Sequence, residues 1–398
     1  MKKIIVLFLI FALEVPAFSQ WQQVWNGMGQ TRTVTALFQY DTILLAGLVY
    51  QGGYANGIYR STNEGLTWAQ TSLNNRDVWH FTSSGSVKYA STSEGIYSSV
   101  TANIWTSFAL NNKNVYEMAI NGSYMYAGTQ DDGVYYSTNE GGSWTQSFLN
   151  NRSIWALAVL NNFVIAGTYN NGIYYSTDNG YIWNQSSMTG YTVKRIIFHG
   201  TTAYACATNG VFRSTNYGAS WLPFGLAGKD VNEIQIREPY IYAATIYSGT
   251  YILSMQGATL SQINTGFPAG DIDVYSLLFT NNYLLAGTYG KSVWRRSINE
   301  IGIEQVSSQM PSAFKLSQNY PNPFNPVTNI NFDLPKESSV KLTVYDALGK
   351  EVTVLVNQHL GAGSYNADWN ASDYPSGIYF YKLEAGSFVE TKKMILIK

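Results

Sequence analysis

Short runs in which apolar and polar residues alternate dominate the chain, separated by clusters rich in Gly, Asn, Ser and Asp. One stretch reads Ser153-Ile154-Trp155-Ala156-Leu157-Ala158-Val159, then Phe163-Val164-Ile165-Ala166-Gly167-Thr168, then Ile173-Tyr174-Tyr175-Ser176, then Trp183-Asn184-Gln185-Ser186. A period of two, with β-branched and aromatic enrichment and tight turns between runs, predicts antiparallel strands. The pattern repeats. Gly57-Ile58-Tyr59, Gly95-Ile96-Tyr97, Gly133-Val134-Tyr135, Gly172-Ile173-Tyr174 and Gly210-Val211-Phe212 are spaced by 38, 38, 39 and 38 residues. Weaker copies at Gly249-Thr250-Tyr251 and near Gly290 to Trp294 bring the units to seven. About 40 residues and four strands per unit is the arithmetic of a β-propeller blade, whereas a β-helix uses much shorter repeats.

The predicted third and fourth strands are joined by Ser61-Thr62-Asn63-Glu64-Gly65-Leu66-Thr67-Trp68. The turn recurs at Ser137 to Trp144, Ser176 to Trp183 and Ser214 to Trp221. It resembles the Asp-box (BNR) repeat of sialidase-like propellers, whose pattern is Ser-x-Asp-x-Gly-x-x-Trp. Locally, the Asn or Asp side chain is suited to cap turn N–H groups, Gly to take a positive φ, and Trp to plug the blade edge. Units two and six lose the amide and the Gly, so looser turns are expected there. In that family the turn is structural and lies away from the ligand face.

The seventh unit lacks its own fourth strand, while Trp21-Gln22-Gln23 near the start copies Trp68-Ala69-Gln70. The N-terminal strand is therefore expected to close the last blade, leaving no open edge in the ring.

Both ends read as addresses. Lys2-Lys3, the apolar run Ile4 to Leu13 and the small residues Ala17 and Ser19 predict a secretory signal peptide over 1–19; Glu14 and Pro16 cut the run too short for a membrane span. At the other end, Asn319-Tyr320-Pro321-Asn322-Pro323-Phe324-Asn325-Pro326, Val344-Tyr345-Asp346-Ala347-Leu348-Gly349, Ser376-Gly377-Ile378-Tyr379-Phe380 and the basic-apolar tail Lys392 to Lys398 alternate as six or seven strands of a small Ig-like sandwich. These segments closely resemble the type A C-terminal sorting domain of the type IX secretion system. The resemblance implies passage through the periplasm, then release or display at the outer-membrane surface, with the secretion machinery as partner of 313–398. The organisation is thus a signal peptide (1–19), a seven-bladed propeller (20–297), a linker (298–312) and a sorting domain (313–398), all-β throughout.

Composition narrows the function. Charged residues make up 12% of the 398 residues, against about 25% in ordinary domains, and aromatics 15%. A net charge of −1 gives no basic excess for nucleic acid. One cysteine, Cys206, excludes an internal disulfide, and the three scattered histidines show no metal spacing. No cofactor, no metal and a monomer are expected.

Candidate site residues follow from aligning the first strands on Val34, Val78, Val115, Ile154, Val193, Val231 and Val274. Two positions earlier stand Arg32, Arg76, Lys113, Arg152 and Lys229, with Tyr191 and Ile272 in the other two units. Such a repeat predicts a positive rim at the channel mouth, suited to acidic glycans or an acidic partner. One position after the anchor come Trp79, Tyr116, Trp155 and Tyr275, suited either to stacking sugar faces or to packing between blades. Second-to-third-strand loops at Gln130-Asp131-Asp132, Tyr169-Asn170-Asn171 and 50–54 reach the same face. Two positions after the anchor, Glu117 and Glu233 share their place with His80 and Arg195. Two facing carboxylates suit acid/base glycoside cleavage, or ion pairing with Arg195 or Lys194. The expected function is an exported binding or adhesion module for a glycan or protein; the alternative is a polysaccharide hydrolase or lyase using Glu117 and Glu233.

Overall fold

The computed structural model describes residues 20–398 apart from 51–55, 239, 256, 258, 299–302, 308–310 and 372–373. The predicted signal peptide, and most of the 50–54 loop, lie outside the described residues. The chain divides into two compact units, Trp21–Ile301 and Gly302–Lys398. Among the described residues, no helix is long and apolar enough to cross a membrane.

The first unit holds seven four-stranded antiparallel sheets among the described residues. A representative sheet runs Val115–Asn121, Tyr124–Thr129, Val134–Ser137, Thr145–Gln146 in spatial order. The first strands lie against one another in sequence, from Thr33–Tyr40 and Val78–Ser84 round to Val274–Phe279, which returns to Thr33–Tyr40. The ring is therefore closed.

Second strands are buried on both faces, which explains their small residues. Ala46, Ala90, Ala127, Ala166, Ala205, Ala243 and Ala286 occupy one repeated position and are all fully buried. The next position carries Gly47, Gly128, Gly167 or Gly287, with Ser91, Cys206 and Ala244 in the other sheets. A Cβ on Gly128 would stand 2.7 Å from Ile154 Cγ2, and one on Gly47 2.7 Å from Val78 Cγ1. At the four glycines the Val or Ile anchor (Val34, Val78, Ile154 or Val193) thus packs into a notch in the preceding sheet, and larger residues there would push the sheets apart.

The third-to-fourth turns hold themselves together. In the first, Ser61 Oγ accepts from Gly65 N at 3.0 Å and Asn63 Oδ1 accepts from Thr67 N at 3.0 Å. The same bonds recur from Ser137 and Asn139, Ser176 and Asp178, and Ser214 and Asn216. Glu64 and Gly65 adopt φ of 53° and 81°, a left-handed pair that Gly makes accessible. The second sheet lacks these residues, yet its turn is capped by Thr101 Oγ1, which accepts from Asn103 N and Ile104 N, while Ala102 takes φ 60° in the Gly position. Thr101 therefore substitutes for the missing amide.

The last sheet runs Gln22–Gln23, Val293–Ser297, Tyr283–Thr288, Val274–Phe279, with Gln22 opposite Arg295 and Gln23 opposite Trp294. The N-terminal strand completes it.

The second unit pairs two four-stranded antiparallel sheets. One runs Ile303–Ser307, Gly363–Asn370, Val327–Leu334, Lys315–Leu316; the other Glu351–Leu360, Ser338–Asp346, Gly377–Ala385, Phe388–Leu396. Phe324, Ile330, Phe332, Val344, Trp369, Tyr381 and Met394 contribute to their shared core. The segment 298–312, expected as a linker, contains a strand: Ile303–Ser307 pairs with Gly363–Asn370, covering an edge whose backbone groups would otherwise lack partners. Among the described residues the unit has eight strands for that reason. The Pro-rich entry, with cis bonds before Pro321 and Pro323, is tied down by polar contacts. Tyr381 Oη accepts from Asn319 N and donates to Ser317 O, both at 2.8 Å, and Asn322 Oδ1 accepts from Ile395 N at 3.0 Å.

Candidate functional site

The site arises from an irregularity that all seven sheets of the first unit share. In each first strand the register slips between the anchor and the residue two positions on: Val34/Ala36, Val78/His80, Val115/Glu117, Ile154/Ala156, Val193/Arg195, Val231/Glu233 and Val274/Ser276. A bulge breaks strict alternation and re-aims side chains. Adjacent residues such as Trp79 and His80, Tyr116 and Glu117, and Asn232 and Glu233 consequently border the same central space.

A cavity of about 600 Å³ is lined by Trp79, Tyr116, Trp155 and Tyr169 on one side, with Lys194, Asn232 and Tyr275 also in its wall. The four aromatic rings form an unbroken arc, their centroids separated by 5.3, 5.6 and 5.3 Å in turn. Trp79 Nε1 donates to Asn114 Oδ1 at 2.8 Å, which fixes its ring. An adjoining cavity of about 380 Å³ shares Trp79, Tyr116 and Trp155 and adds His80, Glu117, Arg195 and Glu233.

These four polar residues form one buried set. Arg195 hydrogen-bonds through Nη1 to Glu117 Oε1, and its Nε stands 3.8 Å from Glu233 Oε1. The other carboxylate oxygens are held by the following sheets: Glu117 Oε2 accepts from Leu157 N at 3.2 Å and Glu233 Oε2 from Leu277 N at 3.1 Å. His80 Nε2 lies 3.8 Å from Glu117 Oε1. Burial pushes the Glu117 carboxyl up to about 7, outweighing the pull of Arg195, and raises Glu233 as well. Burial, reinforced by the Arg195 charge, holds His80 well below its ordinary 6.5.

These shifts oppose one another in the pH dependence of stability. The folded state keeps protons on Glu117 between its ordinary 4.5 and about 7, where the unfolded chain has released them, so this share of stability falls as pH rises through that window. The unfolded chain protonates His80 below 6.5 and the folded chain does not, so that share falls as pH drops. Relative to the natural chain, His80→Gln is therefore expected to gain about 1.4 kcal/mol per pH unit on acidification below the ordinary histidine range. Denaturant melts across that range check it, and a pH-independent difference between the two proteins would refute it.

The five basic residues two positions before the anchors do not line either cavity. Lys113 pairs with Asp132 at 2.9 Å and lies over the Tyr135 ring. Arg152 and Lys229 sit over Tyr174 and Tyr251, 5.8 and 5.7 Å from the centroids. Arg76 pairs with Glu94 at 2.8 Å, and Arg32 Nε donates to Met28 O at 3.0 Å. In Lys113, Arg152 and Lys229 the side chain turns back over the third strand of its own sheet. The acids one residue on behave differently: Asp230 Oδ1 lies 2.6 Å from Lys194 Nζ and borders the larger cavity, while Asp77 and Asp273 accept from the backbone N of Tyr50 and Tyr247. Trp79, Tyr116, Trp155 and Tyr275 all reach the cavity. Lys194, Asn232 and Thr35, at the same offset, join them and were not singled out by residue type; their common spacing from the anchor was the available signal.

Among solved structures, the chain is similar to YCF48 from Cyanidioschyzon merolae (TM-score 0.53, 11% identity, 70% of this chain and 98% of that one). It is also similar to the WD40 β-propeller domain of Doa1 (TM-score 0.51, 13% identity, 69% and 96%). The fold is a β-propeller. A third likeness, to the extracellular domain of the hybrid two component system BT4673 from B. thetaiotaomicron, has a TM-score of 0.56 at 12% identity and covers 95% of this chain and 59% of that one. No curated protein matches the chain in sequence. Residues 318–398 match the secretion system C-terminal sorting domain family. That domain implies interaction with a secretion machinery and export of the propeller to the cell surface or beyond it.

Proposed function

We propose that this chain is an exported binding or adhesion module: a seven-bladed propeller of the Asp-box type that takes a glycan or protein ligand in its central cavity. In this reading a signal peptide over 1–19 carries it to the periplasm, and a type A, Ig-like sorting domain beginning near residue 302 hands it to type IX secretion. The observation that carries the binding role is the arc of Trp79, Tyr116, Trp155 and Tyr169 along a cavity of about 600 Å³. Four rings left facing open space, and not covered by a neighbouring blade, form the kind of apolar wall with polar neighbours that ligand pockets use.

Glu117 and Glu233 favour binding over hydrolysis. Both engage Arg195, and each commits its second oxygen to a backbone amide of the next sheet, which leaves neither positioned as a free acid or base. Replacing Trp79 and Trp155 together by Ala is expected to weaken binding of any array-identified ligand at least tenfold with little change in the melt. Undiminished binding would move the site elsewhere, and cleavage of the ligand by the natural chain but not by Glu117→Gln would favour the hydrolase.

A further inference from the structure

The charges in the walls of the central space are matched within those walls. Lys194 Nζ lies 2.6 Å from Asp230 Oδ1 and donates to Asn232 Oδ1 at 2.9 Å. Arg195 engages Glu117 and Glu233, whose second oxygens accept from Leu157 N and Leu277 N. Burial keeps Glu117 protonated up to about 7 and His80 neutral, so on the acid side of neutrality two cations face two carboxylates. Further out, Asp131 and Asp273 accept from Ser153 Oγ and Tyr247 N and line neither cavity. A carboxylate, sulfate or ammonium group entering this space gives up its hydration and meets no unmatched opposite charge. The acidic ligand that the spacing of the basic residues predicts is therefore disfavoured, and so is a cationic one.

Two kinds of surface remain for an uncharged ligand. Trp79, Tyr116 and Trp155 give the larger cavity an apolar wall. One residue further along their strands than Trp79 and Lys194, the buried His80 Nδ1 and Arg195 Nε have no hydrogen-bond partner among the described residues, and both side chains line the adjoining cavity. An uncharged sugar matches both surfaces, with a C–H face for the rings and hydroxyls that pair with an imidazole nitrogen and accept from a guanidinium N–H. A purely apolar ligand would leave those two polar atoms unsatisfied. We infer that the central cavity recognises an uncharged oligosaccharide, its sugar faces against the Trp79–Tyr116–Trp155 arc and its hydroxyls toward His80 Nδ1 and Arg195 Nε. This rests on the proposed binding role of the cavity and names the ligand class within it.

A glycan array carrying uncharged, uronic-acid, sulfated and amino oligosaccharides, probed with the full chain just acid of neutrality, tests the inference. The tightest ligands are expected to be uncharged, each at least tenfold tighter than its uronic-acid or amino counterpart, with an affinity that changes less than about twofold between low and physiological salt. A charged glycan as the tightest ligand, or an affinity that falls steeply with salt, overturns the inference and leaves the binding role of the cavity intact. Absence of any glycan binding overturns the inference together with the glycan part of that role. Binding that survives the paired Trp79→Ala and Trp155→Ala substitutions puts the ligand elsewhere and overturns both. Asp230→Asn leaves Lys194 without its carboxylate and is expected to shift the preference at least threefold toward the uronic-acid counterpart of the best ligand; an unmoved preference overturns the charge matching on which the inference rests.

Discussion

Deleting residues 20–27 is expected to abolish the cooperative unfolding of the propeller. Trp21 is 2% exposed, stacks on Phe267 with centroids 4.7 Å apart, and donates through its backbone N to Thr265 O at 2.8 Å. Its indole Nε1 donates to Ile263 O in the adjoining sheet. Losing a buried Trp costs about 3–5 kcal/mol, a large share of the roughly 5–15 kcal/mol that holds an ordinary domain together. The deletion removes more than one side chain. Val24 N donates to Val293 O at 2.8 Å in the last sheet, while Asn26 O and Val24 O accept from the backbone N and the indole Nε1 of Trp68 at 2.8 and 3.1 Å. The segment therefore bridges the last sheet to the first, and without it the ring opens at that joint with an unpaired edge strand. Calorimetry of the chain lacking the segment should show a broad, non-cooperative transition; a melt like that of the intact chain would refute the closure.

Removing residues 302–398 is expected to leave a folded propeller stranded in the periplasm. The cut is placed before Ile303–Ser307 because that strand pairs with Gly363–Asn370, and a cut at 314 would leave it without its sheet. Export is a property of the sorting domain, and the propeller keeps its own cores when the domain is gone, since the clusters around Val34, Val78, Val115 and Val274 contain no residue beyond the first unit. Protease treatment of intact cells should degrade the natural protein and spare the truncated one, which osmotic shock then releases. Surface exposure of the truncated chain at the natural level would refute the sorting role.

The sequence revealed the frame more readily than the site, and the reason is range. Strand alternation and the Ser-Asn-Gly turn are short-range patterns, the turn's hydrogen-bond partners lying four residues apart, and the spacing of about 38 residues only repeats them. Closure by Trp21 to Gln23 was also legible, because the fourth-strand motif missing from one end reappeared at the other. The fate of the five cations was not. Whether Arg152 points into a channel or back over Tyr174 depends on a turn of the chain before the strand begins, and a repeat of residue type carries no information on direction. Likewise, alternation assigns Tyr116 and Glu117 to opposite faces, and only the slip between Val115 and Glu117 brings both to the cavity. The strand Ile303–Ser307 looks like linker in the sequence because its pairing partner stands some sixty residues later.

The bulge repeated in every first strand also separates two kinds of inheritance within the chain. The anchor stays Val or Ile in all seven copies, and in four of them it fills a notch left by a glycine of the preceding sheet. The two residues after it differ from copy to copy, as Thr-Ala, Trp-His, Tyr-Glu, Trp-Ala, Lys-Arg, Asn-Glu and Tyr-Ser. Several of these places also tie their sheet to the next one, Thr35 to Val78 O, Glu117 to Leu157 N, Asn232 to Val274 O and Glu233 to Leu277 N, so a new specificity on this scaffold has to be dealt within the same pair of places that joins the copies.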